Sequence, residues 1–243
     1  MKIGVLKETV SGESRVAATP ETVKKMIALS HSVSIEAGAG IQASISDEDY
    51  QNNGADIVSR DQALKSDLLL MVRPLSEKEI TTLKPTQFLV GMLEPFNNEL
   101  QNLLKKQGVS AFALEALPRN TRAQSMDVLS SQANIAGYKA VILAADYYKK
   151  FMPMLMTAAG TVKAAKVIVL GAGVAGLQAV ATAKRLGAVV EASDVRPSVQ
   201  EQIESLGGKF IEVPFETEEE KECAIGKGGY AKPMPKSWLI RQS

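Results

Sequence analysis

The sequence has few of the side chains on which much enzyme chemistry depends. Among its 243 residues it contains one cysteine, Cys223, and one histidine, His31. A single cysteine excludes an internal disulfide and is typical of a reducing compartment. One histidine and one cysteine also cannot form a metal cluster of the usual kind. His31 falls in the turn before a strand-like run, where we interpret it as a solvated residue and not as a catalytic one.

Two further absences limit the partners of the chain. Lys plus Arg total 28 and Asp plus Glu total 27, so the net charge is +1. A nearly neutral chain gives no support for binding to nucleic acid. No run of about 18 apolar residues occurs, so we expect any membrane role to come from another chain. With 45% hydrophobic and 23% charged residues, the composition predicts a globular protein with a packed core.

Short apolar runs alternate with helical patterns, which favours an α/β fold with mostly parallel sheets. We predict two doubly wound domains joined by a long helix, the second domain being incomplete. The predicted segments are an N-terminal α/β domain over 1–122, a linking helix over 123–150 and a nucleotide-binding domain over 151–243. Strand candidates in the first domain are Ile3 to Leu6, Val33 to Ala37, Leu68 to Val72, Phe88 to Met92 and Ala111 to Leu114.

The stretch VIVLGAGVAGLQA, residues 167–179, is typical of a strand, a glycine turn and a helix start. Gly171, Gly173 and Gly176 form G-x-G-x-x-G: they permit a tight turn, close approach of a pyrophosphate, and close packing of helix and strand. Val174 and Ala175 open the helix, whose free N–H groups would face the phosphates. A strand before and a helix after support this interpretation.

Asp194 follows the next predicted strand, 18 residues after Gly176. A carboxylate at this place accepts hydrogen bonds from the adenosine ribose and repels a 2′-phosphate, which favours NAD over NADP. Arg196, two residues further on, could attract a phosphate, so the preference stays open. The alternative is a glycine turn without a ligand, with Asp194 as a helix cap.

The second predicted domain contains three strand candidates, Lys166 to Leu170, Val189 to Ala192 and Phe210 to Val213. After Val213 the sequence is charged and then rich in glycine and proline, which predicts a solvated loop. A fourth strand is not indicated.

A proton donor for carbonyl reduction is not evident, because His31 is poorly placed for that role. Direct hydride transfer between two nicotinamide rings needs no such donor, since proximity and orientation carry most of the work.

A second polar stretch, PRNTRAQSMDVLSSQANIAGYKAV, spans residues 118–141. We predict a helix start in which Gln124, Asp127 and Ser130 share a face, with Arg119 close by. Amide and hydroxyl groups on one face would suit a carboxamide and a ribose. An ordinary polar helix end between domains is the alternative.

Six segments together resemble the NAD(H)-binding α subunit of proton-translocating nicotinamide nucleotide transhydrogenases, within the alanine dehydrogenase/transhydrogenase superfamily. They are RVAATP (15–20), the 118–141 stretch, MTAAGTV (156–162), VLGAGVAGLQA, ASDVRPSVQEQIESLGGKFIEV and GGYAKPM (228–234). RAQSMD and GGYAK are quite specific to the transhydrogenases. Alanine dehydrogenases share RVA and the glycine turn but not RAQSMD.

The resemblance implies NAD(H) in a cleft between two domains, and hydride transfer from NADH to NADP⁺ coupled to proton movement. It implies that the three glycines bind the pyrophosphate and Asp194 the ribose. Arg119, Gln124, Asp127 and Ser130 would surround the nicotinamide, and Tyr230 would lie on a mobile loop that closes over the nucleotide.

The resemblance also implies partners. NADP(H) would be held on a separate component, a further component would form the membrane proton channel, and the full-length chain would form a homodimer. The expected location is cytoplasmic, peripheral to the inner membrane through these partner subunits. Family members extend further, so we expect a truncated form.

Two rival functions stay open. An alanine-dehydrogenase-like enzyme would use Arg15 to hold a substrate carboxylate, but the lysine and histidine of that family have no counterparts at Met71-Val72-Arg73 and Gly91 to Phe96. The other rival is an inactive truncated fragment that binds NAD weakly or not at all.

Overall fold

The computed structural model describes residues 1–118, 120–225 and 231–242. The chain divides into two compact units, Met1–Asp127 and Val128–Ser243, here called unit 1 and unit 2. Each contains a parallel sheet, so the predicted α/β fold with two parallel sheets is confirmed. The division into separate domains at 122 and 150 stays a prediction.

Unit 1 is built on a six-stranded parallel sheet with the order β3-β2-β1-β4-β5-β6. Its strands are β1 (Lys2–Val5), β2 (Ser32–Glu36), β3 (Asp56–Val58), β4 (Leu68–Leu70), β5 (Phe88–Gly91) and β6 (Ser110–Ala113). Its α-helices are α1 (Pro20–Ala28), α2 (Asp47–Asn52), α3 (Arg60–Ala63), α4 (Glu77–Ile80) and α5 (Asn98–Gln107). This strand order is that of a doubly wound fold.

The central strand β1 lies between β2 and β4, which explains the apolar character of its sequence. Strands that are covered on both faces carry continuous apolar runs. Val5 is fully buried with Val23 of α1 in one core cluster, while the next residue, Leu6, joins a second cluster with Leu69. The alternation of side chains along and just after β1 therefore supplies two cores.

Unit 2 contains a three-stranded parallel sheet with the order β11-β10-β9 and a short antiparallel hairpin, β7-β8. Its strands are β7 (Leu155–Thr157), β8 (Gly160–Val162), β9 (Lys166–Leu170), β10 (Val189–Ser193) and β11 (Lys209–Phe210). Its α-helices are α6 (Val128–Tyr147), α7 (Val174–Arg185), α8 (Gln200–Ser205), α9 (Glu218–Ala224) and α10 (Lys236–Gln242). Within the described residues, none of the helices combines the length and apolar content needed to cross a membrane.

The predicted continuous helix from residue 123 is wrong at its start. Residues Gln124–Met126 form a 3-10 turn, and Asp127 follows with a non-helical ψ of 87°. The α-helix begins only at Val128. Spacings of three or four residues indicate a common face only inside one helix, so the spacing argument does not hold for Gln124, Asp127 and Ser130.

The prediction of a loop after Val213 is also wrong for the described residues, because α9 and α10 form there. Trp238 of α10 is buried and stacks on Phe215, at 6.4 Å between ring centroids. Arg241 of α10 donates to the buried Glu220 of α9 at 2.7 Å. Contacts between distant residues, and not local composition, hold these two helices together.

Candidate functional site

The connection from β9 to α7 is a short turn whose geometry requires glycine at two places. Gly171 has φ +92°, which favours glycine, and its N–H donates to the Ser193 carbonyl at the end of β10, at 2.8 Å. A Cβ on Gly176 would lie 1.8 Å from the Gly171 carbonyl oxygen. The first and third glycines of the motif therefore hold strand and helix in close contact, as predicted.

At Gly173 neither the backbone conformation nor packing requires glycine. Its φ is −75°, and a Cβ there would meet no atom of the described residues within 4 Å. A Cβ on Gly171 would also point into open space. The backbone can thus be approached closely at this turn, which is what a bulky phosphate group requires.

The N-terminus of α7 is not capped by any side chain of the described residues. Gly173 is the N-cap residue and makes no side-chain hydrogen bond, and the first helical hydrogen bond is that of the Leu177 N–H to the Gly173 carbonyl at 2.9 Å. Val174, Ala175 and Gly176 form the first turn, whose N–H groups have no partner within an α-helix. An anion placed here would gain hydrogen bonds and the helix dipole.

Asp194 follows β10 directly and lies against the glycine turn. Its Oδ2 accepts the Ala172 N–H at 2.7 Å, and its Oδ1 accepts the Arg196 N–H at 2.8 Å. The Arg196 guanidinium donates from Nε to Oδ1 at 2.9 Å and from Nη2 to Oδ2 at 3.0 Å. The sequence brings Asp194 to the turn as expected, but does not reveal that Arg196 clamps it.

Electrostatics keeps this carboxylate ionised. Burial opposes ionisation, but the hydrogen bonds from Arg196 and the two backbone N–H groups outweigh it and lower the pKa of Asp194. The same pair raises the pKa of Arg196. Asp194, the predicted ribose ligand, is therefore ionised, and both of its oxygens already accept hydrogen bonds.

Helix α6 is held against this turn by a second close contact that sequence reasoning missed. A Cβ on Gly137 of α6 would lie 2.0 Å from the Ala175 carbonyl oxygen in the first turn of α7. Only glycine allows two helix backbones to approach so closely. The available signal was the lone glycine inside the helical pattern, which often has a packing reason.

The remaining predicted site residues are distributed over both units. Gln124 and Asp127 belong to unit 1, at the 3-10 turn before α6, whereas Ser130 lies in the first turn of α6 in unit 2. Arg119 and Tyr230 lie outside the described residues. The roles of these five residues stay predictions.

A charged cluster that sequence reasoning did not assemble occupies the carboxyl ends of β1 and β4 in unit 1. Glu13 accepts Nε and Nη2 of Arg15 at 2.7 and 2.6 Å, and Nε of Arg73 at 3.2 Å. The hydrogen bonds from Arg15 lower the pKa of Glu13 to about 2. This is the point at which the strand order reverses, where open α/β sheets usually hold their ligands.

Glu8 lies beside this cluster and accepts the backbone N–H groups of Val72 at 2.6 Å and Arg73 at 3.1 Å. Burial raises the pKa of Glu8 despite these two hydrogen bonds. The small pocket here is lined by Lys7, Glu8, Glu13, Arg15, Gly38, Ala39 and Gln42.

These features define a doubly wound α/β protein with a nucleotide-binding type of glycine turn in its second unit. Comparison with family models makes the assignment specific. The model of the alanine dehydrogenase/PNT N-terminal domain matches residues 4–136, and that of the C-terminal domain of the same family matches residues 140–228. The chain belongs to the alanine dehydrogenase/PNT family.

Its relatives include both branches of this family. Over 251 residues and the whole chain it is 48% identical to a Rhodospirillum rubrum protein named as one portion of an NAD(P) transhydrogenase alpha subunit, of which it covers 65%. The crystal structure of a transhydrogenase from Sinorhizobium meliloti matches with a TM-score of 0.85 and 50% identity, over 88% of this chain and 64% of that one. An L-alanine dehydrogenase structure matches with a TM-score of 0.75 and 28% identity, over 99% of this chain and 71% of that one. The chain thus spans about two thirds of the length of these transhydrogenase relatives.

Proposed function

We propose that unit 2 binds NAD(H) at the β9–α7 turn, and that the chain is the NAD(H)-binding component of a transhydrogenase. The reaction is hydride transfer between NADH and NADP⁺ held on a partner component. The observation that carries the proposal is the N-terminus of α7, which no side chain of the described residues caps. It lies at a turn where Gly171 and Gly173 leave open space and Asp194 lies alongside.

The residues of the turn fit a dinucleotide in three respects. The open positions at Gly171 and Gly173 admit a pyrophosphate, and the first N–H groups of α7 are available to bind it. Asp194 is ionised and lies against the turn, the place from which a carboxylate binds ribose hydroxyls in such folds. When bound, the nicotinamide supplies the hydride, whereas the protein binds and orients.

The other half of the proposed site comprises Arg119, Gln124, Asp127, Ser130 and Tyr230. Their proposed role is to orient the nicotinamide and its ribose, because amide, hydroxyl and carboxylate groups suit those partners. None is proposed as a proton donor, since transfer between two nicotinamide rings forms no alkoxide. Proximity and orientation are then the main contributions of the protein.

The proposed partners follow from the kind of relative matched. The Rhodospirillum rubrum relative is named as one portion of an alpha subunit, and so as one piece of a larger assembly. We propose an NADP(H)-binding component, a membrane proton-channel component and a second copy of this chain. The resulting location is cytoplasmic, peripheral to the inner membrane through those subunits, with activity only in the assembled enzyme.

The binding step is tested by titrating the purified chain with NADH and following the emission of the reduced nicotinamide. We expect saturable binding that Gly173→Ala abolishes, because the added methyl group occupies the open space at the turn without disturbing the fold. Thr19→Ala in unit 1 is the matched control and should bind NADH normally. A folded wild-type chain that binds no NADH would contradict the proposal and favour an inactive fragment.

The catalytic step is tested by reconstitution. The chain is extended with the region of the Rhodospirillum rubrum relative that it does not cover, and is mixed with the NADP(H)-binding and membrane components. We expect NADH-to-NADP⁺ transfer that Gln124→Ala and Asp127→Asn reduce. Full activity of both variants would show that the nicotinamide site lies elsewhere.

One observation favours a second candidate, an alanine-dehydrogenase-like activity. Arg15 and Arg73 converge on Glu13 at the carboxyl edge of the unit 1 sheet, where a substrate carboxylate could compete for either guanidinium. Incubation with pyruvate, ammonia and NADH tests this candidate. We expect no turnover, and turnover above background would overturn the transhydrogenase proposal.

A further inference from the structure

Arg196 holds both oxygens of the Asp194 carboxylate. Oδ1 accepts the Arg196 N–H and Nε, and Oδ2 accepts the Ala172 N–H and Arg196 Nη2, all within 3.0 Å. Asp194 itself is only 9% exposed. Little of this carboxylate is accessible to a partner in solution while the guanidinium is bound to it.

The acceptor capacity of Asp194 is used up in this arrangement. An ionised carboxylate offers about four lone-pair sites, and each oxygen already accepts at least two hydrogen bonds. Two of the donors are the backbone N–H groups of Ala172 and Arg196, which cannot leave without moving the chain. The two guanidinium bonds are the ones that a side-chain rotation can release, and 23% of the Arg196 side chain is already exposed.

We propose that Arg196 is a specificity-determining residue that competes with the adenosine ribose of NAD(H) for Asp194. The inference rests on the proposed NAD(H) site and adds the step that the ribose hydroxyls must displace a guanidinium. Arg196 thus weakens NAD(H) binding, although it lies in the segment that forms the site.

The same residue affects the distinction between NAD(H) and NADP(H). While it is paired, its positive charge offsets the negative charge with which Asp194 repels a 2′-phosphate. Once displaced, the guanidinium stays within side-chain reach of the ribose position, where an arginine accommodates a 2′-phosphate. Both effects favour the phosphorylated nucleotide, so removal of Arg196 should sharpen the preference for NADH.

The test measures NADH and NADPH dissociation constants for the whole chain and for Arg196→Gln, Asp194→Asn and the double variant. We expect Arg196→Gln to tighten NADH binding about fivefold, the factor corresponding to a partly exposed ion pair. The same change should weaken NADPH binding. In the Asp194→Asn background the tightening should disappear, because the competed carboxylate is gone.

Arg196→Lys is a second variant in case Arg196→Gln disturbs the segment. Lysine keeps the charge but makes a single point contact instead of two parallel bonds, so NADH binding should tighten by less than in Arg196→Gln. A merely structural role would shift both nucleotides in the same direction, which would overturn the inference.

The two levels of the proposal fail in different ways. If the wild-type chain binds NADH and Arg196→Gln, folded by circular dichroism, binds it more weakly, Arg196 is a ribose ligand and only this inference is wrong. If the folded wild-type chain binds no NADH, the proposed function fails and this inference with it.

Discussion

The two sheets differ in what lies beside their first strand. In unit 1, β1 is paired on both sides, by β2 and β4, and its residues Ile3 and Val5 are 4% and 0% exposed. In unit 2, β9 pairs only with β10 among the described residues, and Ile168 and Leu170 are 58% and 67% exposed. The order β11-β10-β9 matches the β3-β2-β1 half of unit 1, so the same architecture appears once as six strands and once as three.

The two turns after these first strands differ in a way that concerns function. Between β1 and α1 lies a long loop that contains Glu13 and Arg15. The N-terminus of α1 is capped by a capping box, in which the side chains of Thr19 and Thr22 accept each other's backbone N–H groups. Between β9 and α7 only three residues intervene, and no described side chain caps the helix. Side chains of the protein cap the start of α1, whereas no described side chain caps the start of α7.

The largest expected effect concerns the tight contact inside the unit 2 turn. Gly176→Ala would place a Cβ 1.8 Å from the Gly171 carbonyl oxygen, so strand and helix must separate. We expect a loss of about 4 kcal/mol or more in the free energy of unfolding, at the exceptional end of single substitutions. Urea unfolding followed by the emission of the single tryptophan, Trp238, reports on unit 2. Gly173→Ala should unfold like wild type, and equal losses in the two variants would refute this geometry.

The next prediction compares the two sheets directly. Leu69→Ala removes a fully buried side chain from β4 and should cost about 3 kcal/mol. Ile168→Ala on β9 should cost less than about 0.5 kcal/mol, because that side chain is already largely exposed. Hydrogen exchange of the amides in each sheet separates the two effects. A large cost for Ile168→Ala would mean that the chain covers β9 in solution.

A pH-dependent effect belongs to the charged cluster of unit 1. Glu13 has a pKa of about 2 in the folded chain against 4.5 otherwise, so its ion pair stabilises above pH 4.5 and this stability is lost as the pH falls toward 2. Glu13→Gln should cost about 1 to 2 kcal/mol at pH 7, a value reduced by the partial exposure of Arg15. Urea unfolding at pH 7 and pH 3 checks this, and a cost that is unchanged at pH 3 would contradict it.

The last prediction tests the capped helix start of unit 1. Thr19→Ala removes the cap of α1 and should cost about 1 kcal/mol, with NADH affinity unchanged. Thermal unfolding measures the first value and the emission titration the second. Weaker NADH binding in this variant would show that the α1 start takes part in the site.

The sequence predicted those regions of the fold whose determinants are local. The strands around the glycine turn and the start of α7 depend on residues that are close in the chain, and they lie where expected. The glycine motif also predicted the close packing of helix and strand, which the structure shows as the approach of Gly176 to the Gly171 carbonyl.

The features that the sequence did not predict depend on contacts between residues that are distant in sequence, or on backbone conformations that the spacing of apolar and polar residues does not reveal. The break at Asp127 involves a 3-10 turn whose side-chain spacing resembles that of an α-helix. Helices α9 and α10 are stabilised by Trp238 and by the Glu220–Arg241 pair, 21 residues apart. The clamp of Arg196 on Asp194 is local, but residue types alone do not distinguish it from a solvated arginine.

The central claim is that the nucleotide binds at the start of α7 in unit 2, which no described side chain caps, and not at the capped start of α1 in unit 1. Hydrogen exchange of the chain with and without saturating NADH tests it most directly. The account predicts protection of the amides from Gly171 to Leu177 and around Asp194, with the start of α1 unchanged. Protection at Thr19 to Val23 with none at the glycine turn would contradict it.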